Sequence, residues 1–341
     1  MTPTATAQRI AVVIPCYRVR AHILDVIAAI GPEVAAIYVV DDACPEGSGA
    51  LVAKKARDPR VTVLTHPVNQ GVGGATLTGM RRAAEDGAAI LVKIDGDGQM
   101  DPALLPRIVR PIIEGEADYA KGNRFHDLDQ LREMPMIRLL GNAALSFFSK
   151  LSSGYWNLFD PTNGYVAIQA DVLLALPRDK IAQRYFFESD MLFRLNLARA
   201  VVADVPMAAR YRDETSHLKI GAEIPRFLAA HLRNFLKRLF YSYILRDVSI
   251  ASIYLLLALL LLPTGVALGV VGWSWNAAHG VPATAGTVML AGLPVILGVQ
   301  FLVAFLAYDT GAVPQRPIHR RLRPLRLPDA VPPTQASTPP T

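Results

Sequence analysis

A long stretch of chain without charged residues constrains the fold more than any other feature of this sequence. Between Asp247 and Asp309 there is no Asp, Glu, Lys or Arg. The stretch contains two apolar runs, at 248–271 and 287–308, separated by a connector at 272–286. Each run exceeds the ~20 residues that a helix needs to cross the hydrocarbon core of a bilayer. We therefore predict two transmembrane helices; the alternative is a buried helical hairpin of a soluble protein.

The distribution of basic residues predicts how these helices are oriented. Lys and Arg are concentrated before the first apolar run and after the second, whereas the connector at 272–286 contains neither. By the positive-inside rule, the chain before residue 248 and the tail at 309–341 should be cytoplasmic, with the connector outside the inner (cytoplasmic) membrane. Anionic lipid head groups would then account for the net charge of +6, and no nucleic-acid partner is expected.

The flanking segments have distinct compositions. Residues 1–8 are polar, do not resemble a signal peptide and are expected to be disordered. Residues 309–341 form a basic, Pro-rich tail, and from Pro314 onward no fold is predicted for it. Residues 223–247 combine aromatic and aliphatic side chains with basic ones at helical spacing. This predicts amphipathic helices on the membrane surface, with a core-packing helix as the alternative. The two cysteines, Cys16 and Cys44, suggest neither a disulfide framework nor a zinc site.

Residues 9–122 alternate between short β-prone runs and amphipathic helical patterns. Strands are predicted at 10–14, 36–40, 61–65 and 89–94, and helices at 21–30, 49–57, 75–86 and 102–114. In the less regular segment 123–220, helices are predicted at 137–151 and 190–199 and a strand at 165–168. The alternation predicts an α/β fold with a mainly parallel sheet, whose ligands bind beyond the carboxyl ends of the strands. Polar clusters follow those ends at Pro15–Tyr17, Asp41–Asp42, Asn69–Gly74 and Asp95–Gln99.

The acidic cluster is the clearest chemical signal. Asp95, Asp97 and Gln99 directly follow the fourth predicted strand, and glycines separate them. Carboxylate and amide oxygens suit a hard divalent cation such as Mg²⁺ or Mn²⁺, which keeps open positions for phosphate oxygens. An isolated Asp-x-Asp is more often a solvated turn, but its position beside other polar clusters at strand ends favours a metal site.

The other clusters suggest a nucleotide. Asp41 or Asp42 could accept hydrogen bonds from a base or a ribose, although capping of the next helix explains one of them equally well. The glycine-rich run Asn69–Gly74 opens a helix and could approach phosphates. It is not a dinucleotide fingerprint, because Thr76 stands at the third glycine position, and it lacks the Lys of a P-loop. Downstream, charge-assisted hydrogen bonds to phosphates could come from Arg124, Arg138, Arg210 and Lys219, for each of which a surface salt bridge is the alternative.

Taken together, these motifs resemble family 2 glycosyltransferases, in particular those that act on polyprenyl (dolichyl or undecaprenyl) phosphate. The resemblance covers residues 9–220. It rests on Ile14–Tyr17, Val40–Asp42, Asn69–Gly71, Gly73–Ala75, Asp95–Gln99, Gly122–Arg124, Arg138 with Asn142, Asp160 with Gly164, and Ser216 with Lys219. It implies a GT-A catalytic domain at 9–222, a UDP- or GDP-sugar donor and a polyprenyl phosphate acceptor. Separately, the paired spans offer association surfaces for a homo-oligomer, and the sequence leaves the oligomeric state open. The Q-x-x-R-W motif of processive members is absent from the sequence, which argues against polymer synthesis.

The resemblance also implies residue roles. Residues expected to hold the nucleotide are Pro15, Tyr17, Asp41, Asp42, Asn69, Gly71, Gly74 and Asp95. The metal would be bound by Asp95, Asp97 and Gln99. The acceptor phosphate or the donor diphosphate would be held by Arg124, Arg138, Arg210, Ser216 and Lys219. The catalytic residues are expected to be Asp97, Asp190, Arg124 and Arg138. Many relatives carry a bulky apolar residue in place of Gly98.

The chemistry of the acceptor decides which catalytic groups are needed. A lipid monophosphate is already largely dianionic at neutral pH, so it needs no general base. We therefore expect Asp190 to orient a substrate rather than to remove a proton. With a neutral acceptor, such as diacylglycerol or a lipid-linked oligosaccharide, Asp190 or Glu188 would have to act as a base. A catalytically idle nucleotide-sugar-binding scaffold is a third reading, disfavoured because all three candidate metal ligands are present.

Overall fold

The structure is a computed structural model that describes residues 8–126, 136–207 and 220–322. It contains one mixed sheet of strand order β3-β2-β1-β4-β6-β5-β7. The strands are β1 (Ile10–Cys16), β2 (Val34–Asp41), β3 (Val61–Thr65), β4 (Ile90–Lys93), β5 (Tyr119–Asn123), β6 (Val166–Gln169) and β7 (Val202–Pro206). All neighbours pair in parallel except β6, which runs antiparallel to both β4 and β5. The predicted α/β fold with a mainly parallel sheet is confirmed.

The helices of the first 200 residues cover both faces of the sheet. They are α1 (Ile23–Ala28), α2 (Ser48–Lys55), α3 (Val72–Glu85), α4 (Leu105–Ile113), α5 (Met136–Ser153), α6 (Ala170–Ala175) and α7 (Phe187–Leu197). Along β1, Ala11 and Val13 belong to a core with α3, α6 and α7, whereas Val12 and Ile14 belong to a core with α1, α2 and α4. Burial on both faces explains why the strands read as continuous apolar runs.

Two long apolar helices follow, α9 (Ile250–His279) and α10 (Ala285–Gly311). Only 17% and 11% of their most apolar windows are buried within the described chain, so they are not core helices of a soluble fold. The predicted connector at 272–286 is wrong in extent, because α9 continues to His279 and only 280–284 links the helices. The local stop signal is Gly280, in the left-handed conformation (φ +64°), followed closely by Pro282.

The juxtamembrane segment forms α8 (Ile220–Phe240) and a π-helical turn at Tyr241–Arg246. In α8 several polar side chains are buried and several apolar side chains are exposed, the reverse of an amphipathic helix in a soluble protein. Polar His231, Asn234 and Arg238 are at most 3% exposed, whereas apolar side chains at 228, 232 and 236 on α8 are 46–56% exposed. A helix that packs its polar face on the protein and presents its apolar face outward suits a membrane surface.

No fold is predicted for the tail from Pro314, but part of this tail forms a short helix. Residues 309–311 complete α10, and the chain then returns to the α/β domain, where the last described element is a short helix, α11 (His319–Leu322). The Asp118 carboxylate accepts hydrogen bonds from the Ile318 and His319 backbone N–H groups and from His319 Nδ1, at 2.7–2.9 Å. Val313 joins the core on that side of the sheet. The α/β domain is therefore tied to the two apolar helices by two chain segments.

Candidate active site

A cavity of about 470 Å³ opens at the edge of the sheet where β1, β2 and β4 end. It is lined by Pro15, Cys16, Tyr17, Val19, Asp42, Asn69, Gly71, Val72, Ala75, Asp95, Gly96, Asp97, Arg184 and Tyr185. Each of the polar clusters that the sequence places at strand ends contributes to this lining. Parallel strands bring their carboxyl ends to one edge, which is why clusters far apart in sequence meet here.

The glycine-rich run shapes one wall of the cavity. Gly71 has φ of +90°, and a Cβ added there would lie 2.8 Å from the Gln183 carbonyl oxygen. At Gly73 an added Cβ would lie 2.7 Å from the Ala182 carbonyl oxygen. Only glycine lets the segment 181–186 approach this closely. Gly74 is part of the same contact, donating its N–H to Gln183 at 2.9 Å, and it packs there rather than lining the cavity.

This packing brings Arg184 and Tyr185 to the cavity, two residues that the sequence reasoning missed. Arg184 adds a cation to a cavity that otherwise carries three lining carboxylates, and Tyr185 adds an aromatic ring that is 52% exposed. The only sequence signal was an Arg-Tyr pair just before α7. Nothing local indicated that it would cross to the glycine-rich run.

The adjacent residues Asp41 and Asp42 have different roles. Asp42 lines the cavity, but its carboxylate is 2.8 Å from His66 Nδ1 and accepts the N–H groups of Gln70 and Gly71 at 2.8 and 2.7 Å. It thereby fixes the glycine-rich run. The Asp41 carboxylate accepts from the backbone N–H groups of Cys44 and Gly49, at 2.8 and 3.1 Å. Asp41 organises the turn into α2 and is not among the residues that line the cavity, so its role in nucleotide binding stays a prediction.

The acidic cluster lies over a buried cation. Lys93, at the end of β4, is 1% exposed, and its Nζ lies 2.8 Å from Asp95 Oδ1 and 3.4 Å from Glu188 Oε1. Burial lowers the pKa of Lys93, but the two carboxylates outweigh burial and the pKa is raised. Burial, together with the charge of Asp95, raises the pKa of Glu188 despite the opposing charge of Lys93. The ammonium therefore holds Asp95 in place at the floor of the cavity.

The loop after Lys93 presents carboxylate oxygens to the cavity. Asp95 and Asp97 both line it, and the Gln99 backbone N–H closes the turn by donating to Asp97 Oδ1 at 2.9 Å. Gly98 has φ of +75°, a backbone conformation that favours glycine. Gln99 is not among the lining residues, so its role as a third metal ligand stays a prediction.

The donor set fits a divalent cation that shares its coordination with substrate. Within the described residues, no group of three or more His, Cys, Asp or Glu side chains is placed to hold a metal by itself. Mg²⁺ is commonly held by one or two carboxylates, with the remaining positions filled by water and substrate phosphates. Asp95 and Asp97 suit that arrangement.

Asp190 does not reach the cavity. It is 1% exposed in α7, where its Oδ2 accepts from the Ala182 N–H and from Arg194 Nε, both at 2.9 Å. Its Oδ1 accepts from Asn234 Nδ2 of α8 at 2.9 Å. The carboxylate joins α7 to α8 and to the segment carrying Arg184. Asp190 is not among the residues that line the cavity, so its role in orienting a substrate stays a prediction. Glu188, two residues earlier, contacts Lys93 instead.

Arg124 is likewise engaged elsewhere. Its guanidinium makes a bidentate pair with Asp160, with nitrogen–oxygen distances of 2.8 and 3.0 Å, and it does not line the cavity. Burial raises the pKa of Asp160, but this hydrogen bonding and the charge of Lys121 outweigh it and hold the pKa below its ordinary value. This ion pair fixes the end of β5, and the expected role of Arg124 in binding phosphate stays a prediction.

The remaining predicted phosphate-binding residues are not tested by the structure. Arg138 lies in the first turn of α5, and its side chain is outside the described ones. Arg210, Ser216 and Lys219 fall between residues 207 and 220, outside the described chain. Their roles stay predictions.

The protein has the fold of the GT-A class of glycosyltransferases. Its features are a seven-stranded mixed sheet and one cavity that is lined by an acidic loop and a glycine-rich run. The family model for glycosyl transferase family 2 matches residues 11–176. The chain is 35% identical over 173 residues to an undecaprenyl-phosphate mannosyltransferase of Micrococcus luteus, covering 50% of this chain and 70% of that one. The chain belongs to glycosyl transferase family 2, as its motifs predict.

Two further similarities agree with this. A UDP-N-acetylglucosamine–dolichyl-phosphate N-acetylglucosaminyltransferase of Methanococcus voltae is 33% identical over 154 residues; the match covers 45% of this chain and 61% of that relative. Among solved structures, the glucosyl-3-phosphoglycerate synthase of Mycobacterium tuberculosis, in complex with Mn²⁺, UDP and glucosyl-3-phosphoglycerate, has a TM-score of 0.50 and 21% identity. That alignment covers 68% of this chain and 80% of that one, and it confirms the fold.

Proposed function

We propose that this protein transfers a sugar from a nucleotide diphosphate donor to a polyprenyl phosphate at the cytoplasmic surface of the inner membrane. The proposal rests on one observation: the same chain contains a cavity suited to a sugar diphosphate and two long apolar helices. A cavity lined by Asp95, Asp97 and Arg184 suits a sugar diphosphate, and it is tied to two apolar helices by a juxtamembrane helix with an outward apolar face. Relatives named for undecaprenyl- and dolichyl-phosphate acceptors support the acceptor class.

The residues of the cavity divide the work of binding the donor. The glycine-rich run, fixed by Asp42, lets a nucleotide approach the backbone closely, and Tyr17 and Tyr185 offer aromatic surfaces beside it. Asp95 and Asp97 would hold Mg²⁺ or Mn²⁺, which neutralises charge on the departing diphosphate. Arg184 faces the same cavity and can donate charge-assisted hydrogen bonds to phosphate oxygens.

The transfer itself needs little acid–base chemistry. An oxygen of the lipid phosphate attacks the anomeric carbon, and the bond from that carbon to the diphosphate oxygen breaks with inversion. Because the attacking phosphate is already largely dianionic, no protein group has to remove a proton. Catalysis then depends on positioning and on stabilising the leaving group. Anchoring the cavity at the membrane raises the effective concentration of the lipid acceptor.

A lipid-extraction assay tests the proposal. The purified full chain is incubated with undecaprenyl phosphate, Mg²⁺ or Mn²⁺, and a panel of radiolabelled UDP- and GDP-sugars. Label should enter the organic phase with at least one donor, and Asp97→Asn should reduce the rate by on the order of 100-fold, as losses of transition-state electrostatics do. Asp25→Asn is the matched control, because Asp25 is exposed in the first turn of α1. No transfer to undecaprenyl phosphate, with transfer to diacylglycerol instead, would contradict the acceptor assignment.

A further inference from the structure

A second cavity, of about 180 Å³, lies where the catalytic domain meets the membrane helices. Its walls come from the ends of α7 and α10, the π-helical turn, and Ser249 at the start of α9. Because α9 begins and α10 ends at this level, the cavity lies at the depth of lipid head groups when the two helices span a bilayer.

One side of this cavity is a closed ion pair. Arg238 donates to both carboxylate oxygens of Asp309, at 2.6 and 3.0 Å, and both side chains are at most 3% exposed. Asp309 also accepts from the Tyr243 hydroxyl at 2.5 Å and from Trp156 Nε1 at 2.9 Å. Asp309 is therefore fully hydrogen-bonded, and its charge is balanced within the wall.

Two further guanidinium groups in the cavity have no such balance. Arg199 donates from Nη1 to the Ala312 carbonyl at 2.8 Å, and Arg246 donates from Nη2 to the Leu197 carbonyl. Within the described chain, neither is paired with a carboxylate, and most of their five N–H donors have no protein partner. Burial, followed by the positive charge of Arg199, lowers the pKa of Arg246. Two cations thus lie close enough to repel each other.

We propose that this cavity binds the phosphate group of an anionic phospholipid, held between Arg199 and Arg246. Asp247 is the one other carboxylate in the lining, so the cavity keeps an excess positive charge. A lipid fits better than free phosphate because apolar side chains beside Arg246 are strongly exposed: Ile244 and Leu245 by 59% and 62%, and Val248 by 76%. These side chains can contact the acyl chains of the same molecule. The inference needs the two helices to lie in a membrane, as the proposed function does, but not the sugar transfer.

Native mass spectrometry of the full chain, released from detergent with added phosphatidylglycerol, tests this site. The test variant is Arg199→Gln with Arg246→Gln, since glutamine can still donate a hydrogen bond to each carbonyl. The control is Arg233→Gln with Lys237→Gln, two exposed basic residues of α8 outside the cavity. Wild type and control should retain one tightly bound phosphatidylglycerol. The test variant should bind it roughly thirtyfold more weakly, the effect of removing two basic groups beside a lipid phosphate.

Additional variants and competing ligands separate the possible causes of each result. Arg199→Lys with Arg246→Lys keeps both charges and should restore most of the binding, which separates lost charge from lost folding. Phosphatidylcholine should bind more weakly than phosphatidylglycerol, and inorganic phosphate should not displace the lipid. Equal lipid binding by the test and control variants, or full displacement by inorganic phosphate, would overturn the proposal. A chain that binds phosphatidylglycerol normally but transfers no sugar to polyprenyl phosphate would refute the proposed function alone.

Discussion

Lys93→Met is expected to destabilise the protein substantially, because it removes the cation that lies between two carboxylates. Lys93 is 1% exposed, and its Nζ lies 2.8 Å from Asp95 and 3.4 Å from Glu188. Removing one partner of a buried charge pair costs about 3–5 kcal/mol. Burial already raises the pKa of Glu188, so this carboxyl can take up a proton when Lys93 is lost. We therefore expect the low end, about 3 kcal/mol, at neutral pH.

Thermal unfolding of the detergent-solubilised chain measures this effect. About 3 kcal/mol corresponds to a fall in Tm of roughly 6–12 °C for a domain of this size. The exposed Lys54→Met on α2 is the matched control and should change the stability by under about 0.5 kcal/mol. Adding Glu188→Gln to Lys93→Met removes the uncompensated charge and should recover most of the loss.

The pH dependence of the stability of Lys93→Met tests the same explanation independently. In Lys93→Met the folded pKa of Glu188 should rise further above its unfolded value, since the neighbouring cation is gone. The folded state then binds more protons than the unfolded state, so the stability falls as the pH rises through this window. The defect should shrink as the pH is lowered from neutral toward about 5. A Tm within 2 °C of wild type at neutral pH, or a double variant no better than the single one, would refute the reasoning.

Two further predictions follow from the glycine-rich run and from α8. Gly71→Ala should cost about 2 kcal/mol of stability and weaken donor binding, because Gly71 has φ of +90° and the added Cβ would lie 2.8 Å from the Gln183 carbonyl oxygen. The control Gly141→Ala, where an added Cβ meets nothing within 4 Å, should be neutral or slightly stabilising. Equal Tm values for the two variants would contradict this prediction. Burial lowers the pKa of His231 from 6.5 to about 4. Between pH 6.5 and about 4 the unfolded chain therefore binds more protons than the folded chain, and the free energy of unfolding should fall by up to about 3 kcal/mol as the pH drops through this range. His231→Gln should lack this component in Tm measured against pH, and an unchanged pH slope would count against it.

The strands could be predicted from the sequence because their local patterns are strong. All five predicted strands, the first beginning at Ile10, match observed ones to within about two residues at each end. The meeting of polar clusters also followed from the sequence, since parallel strands share one carboxyl edge. The antiparallel β6 between β4 and β5 could not be predicted, because strand order depends on contacts between distant segments.

The roles of individual carboxylates were harder to predict. Asp41 ends β2 and Asp42 follows it, and the local sequence does not say which of the two lines the cavity, because their hydrogen-bond partners come from later segments. The hydrogen bond from Asn234 to Asp190 could not be predicted, because the two residues lie 44 positions apart on different helices. Lys93 did leave a signal: a lysine inside an apolar strand needs a counter-charge, and Asp95 two residues later supplies it.

The way the chain joins its membrane part explains why the polar face of α8 is the buried one. His231, Asn234 and Arg238 each bond a partner in a different part of the molecule: Ser152 of α5, Asp190 of α7 and Asp309 of α10. Asp190 in turn holds the segment that brings Arg184 to the cavity. One face of α8 therefore connects the pair of apolar helices to a wall of the cavity, through the hydrogen bonds Arg238–Asp309, Asn234–Asp190 and Ala182–Asp190. A helix packed by its apolar face could not make these directional contacts, and its apolar surface would not be left to contact lipid.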